Sequence, residues 1–140
     1  MADLTTAGME DICRGLASSF DGILLWKWDR RFETVLAEFS VDKKDQVRGR
    51  LEGHLAPLFD SSNVADGPEI VRAVVAQFGG LWPGQLLFTS DPSRDAMIFG
   101  TWWPWGDGKE ISIRIGPAFR SLPEWHRDEQ IQLFKSWFGF

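Results

Sequence analysis

A chain of 140 residues, 44% hydrophobic and 25% charged, fits one α+β domain, because a domain near this length buries roughly 68 to 70% of its unfolded surface. The formal charge of −5, from 15 Lys and Arg against 20 Asp and Glu, opposes the phosphate attraction behind most non-specific nucleic-acid binding, so nucleic acid is disfavoured as a partner. No apolar run nears the roughly 20 residues of a spanning helix, and the opening Met1-Ala2-Asp3-Leu4-Thr5-Thr6 lacks a basic segment followed by an apolar one, so the expectation is a cytoplasmic protein without membrane contact.

In chain order, Met9, Ile12, Cys13, Leu16 and Phe20 recur at steps of three and four, which predicts a first amphipathic helix over 8–20. Asp21-Gly22 breaks it, and Ile23 to Trp28 is short, apolar and aromatic enough for a buried strand. Asp29-Arg30-Arg31 makes a turn. The run from Phe32 to Phe39 fits either a helix or a strand; the strand is preferred, because a hairpin is the shortest connection from the strand before it. Val47, Leu51, His54, Leu55 and Leu58 mark one face of a second helix limited by Pro57. A polar loop leads to Pro68, placed at the first position of a third helix whose stripe is Ile70, Val71, Val74, Val75 and Phe78, and Gly79-Gly80 ends it.

The second half reads as a β-meander over 85–90, 96–103 and 110–115, in which Ile111, Ile113 and Ile115 alternate with polar residues. Ser121-Leu122-Pro123-Glu124 matches a capping box that opens a C-terminal helix carrying Ile131, Phe134 and Phe138. Together these elements predict a single domain over 1–140. Its antiparallel sheet has about five strands, a two-stranded hairpin plus a three-stranded meander, and about four helices lie mainly on one face.

Eight Trp and eleven Phe with no Tyr make an apolar aromatic set. Trp102-Trp103-Pro104-Trp105 runs into Gly106-Asp107-Gly108, which places three tryptophans at a hairpin tip. Each large aromatic buries on the order of 150 to 250 Å², so the cluster either closes the core or is covered by another molecule. Adjacent Trp102 and Trp103 must point to opposite sides of a strand, whereas Trp26 and Trp28 share one side. Arg30, Arg31 and Lys27 form a cationic group beside Trp26 and Trp28, and Arg114 with Lys109 extends it, partly cancelled by Glu110.

Catalytic and metal signals are weak. His54 reads as a hydrogen-bonded boundary residue and His126 as a solvated one, and neither has a second ligand at zinc spacing. Lone Cys13 lies in the apolar stripe of the first helix, so it reads as core, and a reducing compartment follows most simply. Asp107, Asp91 and Asp95 read as turn residues. No catalytic, metal or cofactor site is therefore assigned. The leading expectation is a non-enzymatic interaction module, an adaptor, chaperone-like binder or inhibitor. It would bind another protein or a second copy of itself through Trp102, Trp103, Trp105, Trp26, Trp28, Arg30, Arg31 and Arg114. The alternative is a small-ligand-binding domain or small enzyme, with an apolar or aromatic ligand between sheet and helices, lined by Trp26, Trp28, Trp102 and Phe88.

Overall fold

The computed structural model describes the backbone of residues 2–140 and the side chains of residues 8–140. The leader reading at the start of the chain lies largely outside those side chains. The helices are α1 (Ala2–Ser19), α2 (Lys44–Glu52), α3 (Glu69–Gln77) and α4 (Glu124–Trp137). The strands are β1 (Lys27–Asp29), β2 (Thr34–Ser40), β3 (Leu58–Phe59), β4 (Leu86–Thr89), β5 (Ala96–Pro104) and β6 (Glu110–Phe119). They form one antiparallel sheet in the order β1-β2-β6-β5-β4-β3.

The expected hairpin and meander are both present. They are joined by β2 pairing with β6, which sets Val35 opposite Ile115 and Phe39 opposite Ile111. Period-two alternation divides every strand between two faces. On the first face Val35, Ala37, Phe39, Phe88, Ile98, Trp102, Ile111, Ile113 and Ile115 join Cys13, Leu16 and Phe20 of the first helical region, Val47 and Leu51 of α2, and Phe134 and Trp137 of α4 in one core. Gly100 leaves room there: a Cβ on it would stand 3.3 Å from Leu55 and 3.8 Å from Leu51, so the missing side chain lets the end of the α2 region press onto the sheet. On the second face Phe59, Leu87, Met97, Phe99 and Ala118 meet Ile70, Val71, Val74 and Val75 of α3 in a separate core. Three helices thus pack on one face and one on the other.

Several boundaries differ from expectation. Leu58 belongs to β3, not to the second helix, because pairing with Phe88 gives it a partly buried sheet position against the first core. That short edge strand raises the strand count to six. Of the aromatic run 23–28 only Lys27 and Trp28 pair as a strand, which Asp29 completes. Its first residues are held instead by turn bonds, Ile23 N–H and Leu24 N–H both donating to the Phe20 carbonyl. Pro68 lies one position before α3 and contributes its carbonyl, which accepts from Arg72 N–H at 3.0 Å. The capping box does not form: Pro123 precedes α4 and makes no side-chain cap. Trp102 and Trp103 belong to β5, leaving Trp105 as the tryptophan of the hairpin turn.

Candidate functional site

Helix α3 covers the second face over β3, β4, the start of β5 and the end of β6, and across the remaining β1-β2-β6 half Lys27 and Glu38 are exposed and Leu36 and Arg114 partly so. Across that half the register sets Lys27 beside Leu36, Leu36 beside Arg114, and Arg114 beside Thr101. The next row runs Glu38, Ser112, Trp103. Phe78, the residue after α3, leans over this surface with its ring 5.6 Å from Trp103 and 5.9 Å from Phe99. Phe32 continues the strip, 4.5 Å from Phe78. The result is an aromatic row, Phe32-Phe78-Trp103, laid across the boundary between the covered and open halves.

The strip is fixed by polar partners. The Arg114 guanidinium lies 5.3 Å from the Phe32 ring centroid and donates to an Asp29 carboxylate oxygen at 2.8 Å. Arg31 lies 5.0 Å from the same ring. A partly shielded cation over an aromatic face is worth about 0.5 to 2 kcal/mol, and the ion pair with Asp29 is mostly buried at both ends. Lys27 pairs with Glu38 at 3.4 Å. Glu33 takes a left-handed φ of +56°, uncommon for a residue with a Cβ. Its carboxylate accepts from Arg127 at 3.3 Å, which ties the turn carrying Phe32 to α4. At the far end Trp105 donates its indole N–H to Ser112 Oγ at 2.6 Å and remains 42% exposed.

Of the residues singled out in the sequence, Trp103, Trp105, Arg31 and Arg114 come together here. Arg30 is exposed at the neighbouring turn. Trp102, Trp26 and Trp28 go to the first face. Trp102 is 6% exposed and packs on Phe39 at 5.7 Å. Trp26 packs edge-on against Phe20 and Phe138, and Trp28 against Phe134 with Lys135 above it. Of the four aromatics proposed to line a ligand pocket, Phe88 and Trp102 are buried in the first core and Trp26 and Trp28 pack partly buried against it; Trp102 also lines a cleft between α2 and the β5–β6 hairpin.

Sequence reading missed three residues of the surface. Phe32 was assigned to a strand and Phe78 to a helix stripe, and neither periodicity reveals a side chain that bridges two elements. Trp82, 67% exposed, sits in the loop before β4. Because Leu86 pairs with Trp102, that loop and the Trp105 turn leave the sheet at the same end. An isolated Trp between Gly79-Gly80 and Gly84 was the available signal.

The other candidates are structural. Ser19 and His54 Nε2 share a hydrogen bond at 2.7 Å, and the imidazole fills the space beside Gly15. Burial, reinforced by nearby Glu10, pushes the Cys13 thiol far above its ordinary range, which suppresses the thiolate needed for nucleophilic chemistry. Asp60 and Asp91 are held below the usual carboxylate range by the hydroxyl and then the backbone N–H of Ser62 and Ser93 in matching turns. Among the described residues no cluster of His, Cys, Asp and Glu has metal-binding geometry, and no helix is long and apolar enough to cross a membrane. No family model, curated protein or solved structure matches the chain.

Proposed function

We propose that the protein is a non-enzymatic cytoplasmic interaction module whose partner is another protein chain, bound across the open half of the second sheet face and the Trp105 turn. The observation that carries this reading is the aromatic row Phe32-Phe78-Trp103, with Trp105 and Trp82 exposed at one end of the same sheet. Rigid aromatics lose little side-chain entropy on binding, and Trp and Arg dominate interface hot spots. Burial of Trp102 and Phe88 in the first core, with Trp26 and Trp28 packed partly buried against it, favours this surface over a pocket between sheet and helices.

Charge selects the partner's chemistry. Glu38 and Asp29 neutralise Lys27 and Arg114, whereas Arg30 and Arg31 have no carboxylate within ion-pair distance among the described residues. The fitting partner therefore presents an apolar centre with an acidic rim. A second copy docking through the same surface would set its own Arg30 and Arg31 in that rim in place of carboxylates, and fits less well.

Light scattering on a size-exclusion column over a concentration series, with acrylamide quenching of the same samples, tests the reading. A monomer whose tryptophans split into a quenchable and a protected class supports it. A dimer whose quenchable class appears only on dilution would transfer the surface to self-association. A monomer with every tryptophan protected would overturn the exposed surface altogether.

A further inference from the structure

The sheet has two edges, and they are closed to different degrees. β3 is two residues long and follows Pro57, which has no N–H to offer a further strand. β1 is the outermost strand at the other edge and borders the open half of the second face. Which of its backbone groups point outward follows from the register. Beyond the end of β2, Val41 N–H donates to the Lys109 carbonyl at 2.8 Å, and beyond β5, Trp105 N–H donates to the Glu110 carbonyl at 2.9 Å. Backbone groups alternate between the two sides of an antiparallel strand, so Val35, Ala37 and Phe39 bond to β6, and Thr34 and Leu36 turn toward β1. Their partners are Asp29 and Lys27. Trp28, between these two, therefore aims both its N–H and its C=O at the free edge, where neither meets another backbone group.

Charge around this edge is one-sided. Asp29 is engaged by Arg114 at 2.8 Å and Glu33 by Arg127 at 3.3 Å. Arg30 and Arg31, in the turn after β1, have no carboxylate within ion-pair distance among the described residues, and neither has Lys135, whose Nζ lies 4.8 Å from the Trp28 ring centroid. In a chain of net charge −5, uncompensated cations thus flank β1 from the turn and from α4. Leu25, 84% exposed, leaves an uncovered apolar side chain just before the strand.

From this placement we infer that β1 receives an extended acidic segment of the partner chain as an added strand, hydrogen-bonded to the Trp28 backbone, with its carboxylates toward Arg30, Arg31 and Lys135. The inference rests on the open half being a protein interface, and it names how the partner enters it. In strand addition the main chain supplies affinity and alternate side chains supply specificity. The free cations select an acidic strand over a neutral or basic one, and the exposed charges of β1 itself discourage unspecific pairing with apolar strands.

The probe is a capped octapeptide of alternating glutamate and valine, titrated into the isotope-labelled full chain and followed by NMR and amide hydrogen exchange. In the free protein the Trp28 amide should exchange faster than those of Lys27 and Asp29, which bond to β2. Saturating peptide should slow Trp28 by at least about tenfold, since a newly paired N–H exchanges only when the added strand opens, and leave the other two nearly unchanged. The octapeptide with lysine in place of glutamate should not saturate. Replacing Arg30, Arg31 and Lys135 together by Gln should weaken the acidic peptide by about threefold to tenfold, as expected for a few exposed charge pairs, and high salt should weaken it similarly. Saturable binding that shifts the Trp103 and Trp105 indole signals but leaves the Trp28 amide unprotected would overturn strand addition while sparing the aromatic surface. Protection of Trp28 that grows with protein concentration, without peptide, would give the edge to a second copy and overturn the acidic partner. Failure to saturate at millimolar peptide, or equal binding of the lysine peptide, would overturn the assignment too.

Discussion

Trp102 and Trp103 are neighbours in one strand and lead opposite lives. Trp102 faces three helices and is nearly sealed, whereas Trp103 faces a surface that α3 covers only in part. The two faces of the sheet differ in the same way. On the first, α1, α2 and α4 supply enough apolar stripe to cover every strand, so its aromatics serve stability. On the second, the nine-residue α3 is too short to span six strands, and its aromatics serve as the end of a core and the beginning of a surface. A residue's usefulness for binding is thus set by what lies across from it more than by its type.

The sharpest way to break that contrast is chemical. Cys13 belongs to the sealed face, so its alkylation by iodoacetamide should be at least about a thousandfold slower in the folded chain than in denaturant, because reaching it requires an opening that costs several kcal/mol. Its raised thiol pKa also has a sign. The folded state holds the proton more tightly, so stability should fall as pH rises past the ordinary thiol value of about 8.5. Urea melts at pH 7 and pH 9.5, compared with Cys13→Ala, check this; prompt labelling of the native protein would show that the first face is not sealed.

Next comes Trp102→Ala, expected to cost about 3 to 5 kcal/mol through lost burial and a residual cavity. Trp103→Ala should cost clearly less, and equal losses in chemical denaturation would erase the distinction between the faces. Gly116→Ala probes the close contact at the edge of the α3 core: a Cβ there would stand 2.7 Å from Thr34 and 2.8 Å from Phe99. Overpacking of this kind costs about 1 to 3 kcal/mol, visible as a lowered melting temperature. The smallest effect on stability belongs to Trp105→Ala, about 1 kcal/mol or less, since one part-buried hydrogen bond to Ser112 is lost. The same change should weaken partner binding by about 30-fold if Trp105 is a hot spot worth about 2 kcal/mol. A large loss of stability with unchanged binding would return Trp105 to the core.

How far the sequence carried depended on the range of the interaction. Helices α1 and α3, strand β2 and the meander were legible because their apolar residues repeat locally with periods near 3.6 or 2. The buried Cys13, the opposite sides taken by Trp102 and Trp103 and the single-sided Trp26 and Trp28 followed from the same local periodicities, though which of Trp102 and Trp103 faces outward did not. β3 was not legible: two residues carry no period, and Leu58 and Phe59 become strand only by pairing with Phe88 and Leu87.

By itself, then, the chain determined an α+β domain, its main helices and strands, and an isoleucine face bound for a core, since those depend on side chains a few residues apart. Only the tertiary structure decided the rest: that β2 closes on β6, that α3 crosses to the second face, and that Phe32, Phe78 and Trp103 form one row. These juxtapositions join residues far apart along the chain, and their proximity depends on how much of each sheet face the helices have area to cover.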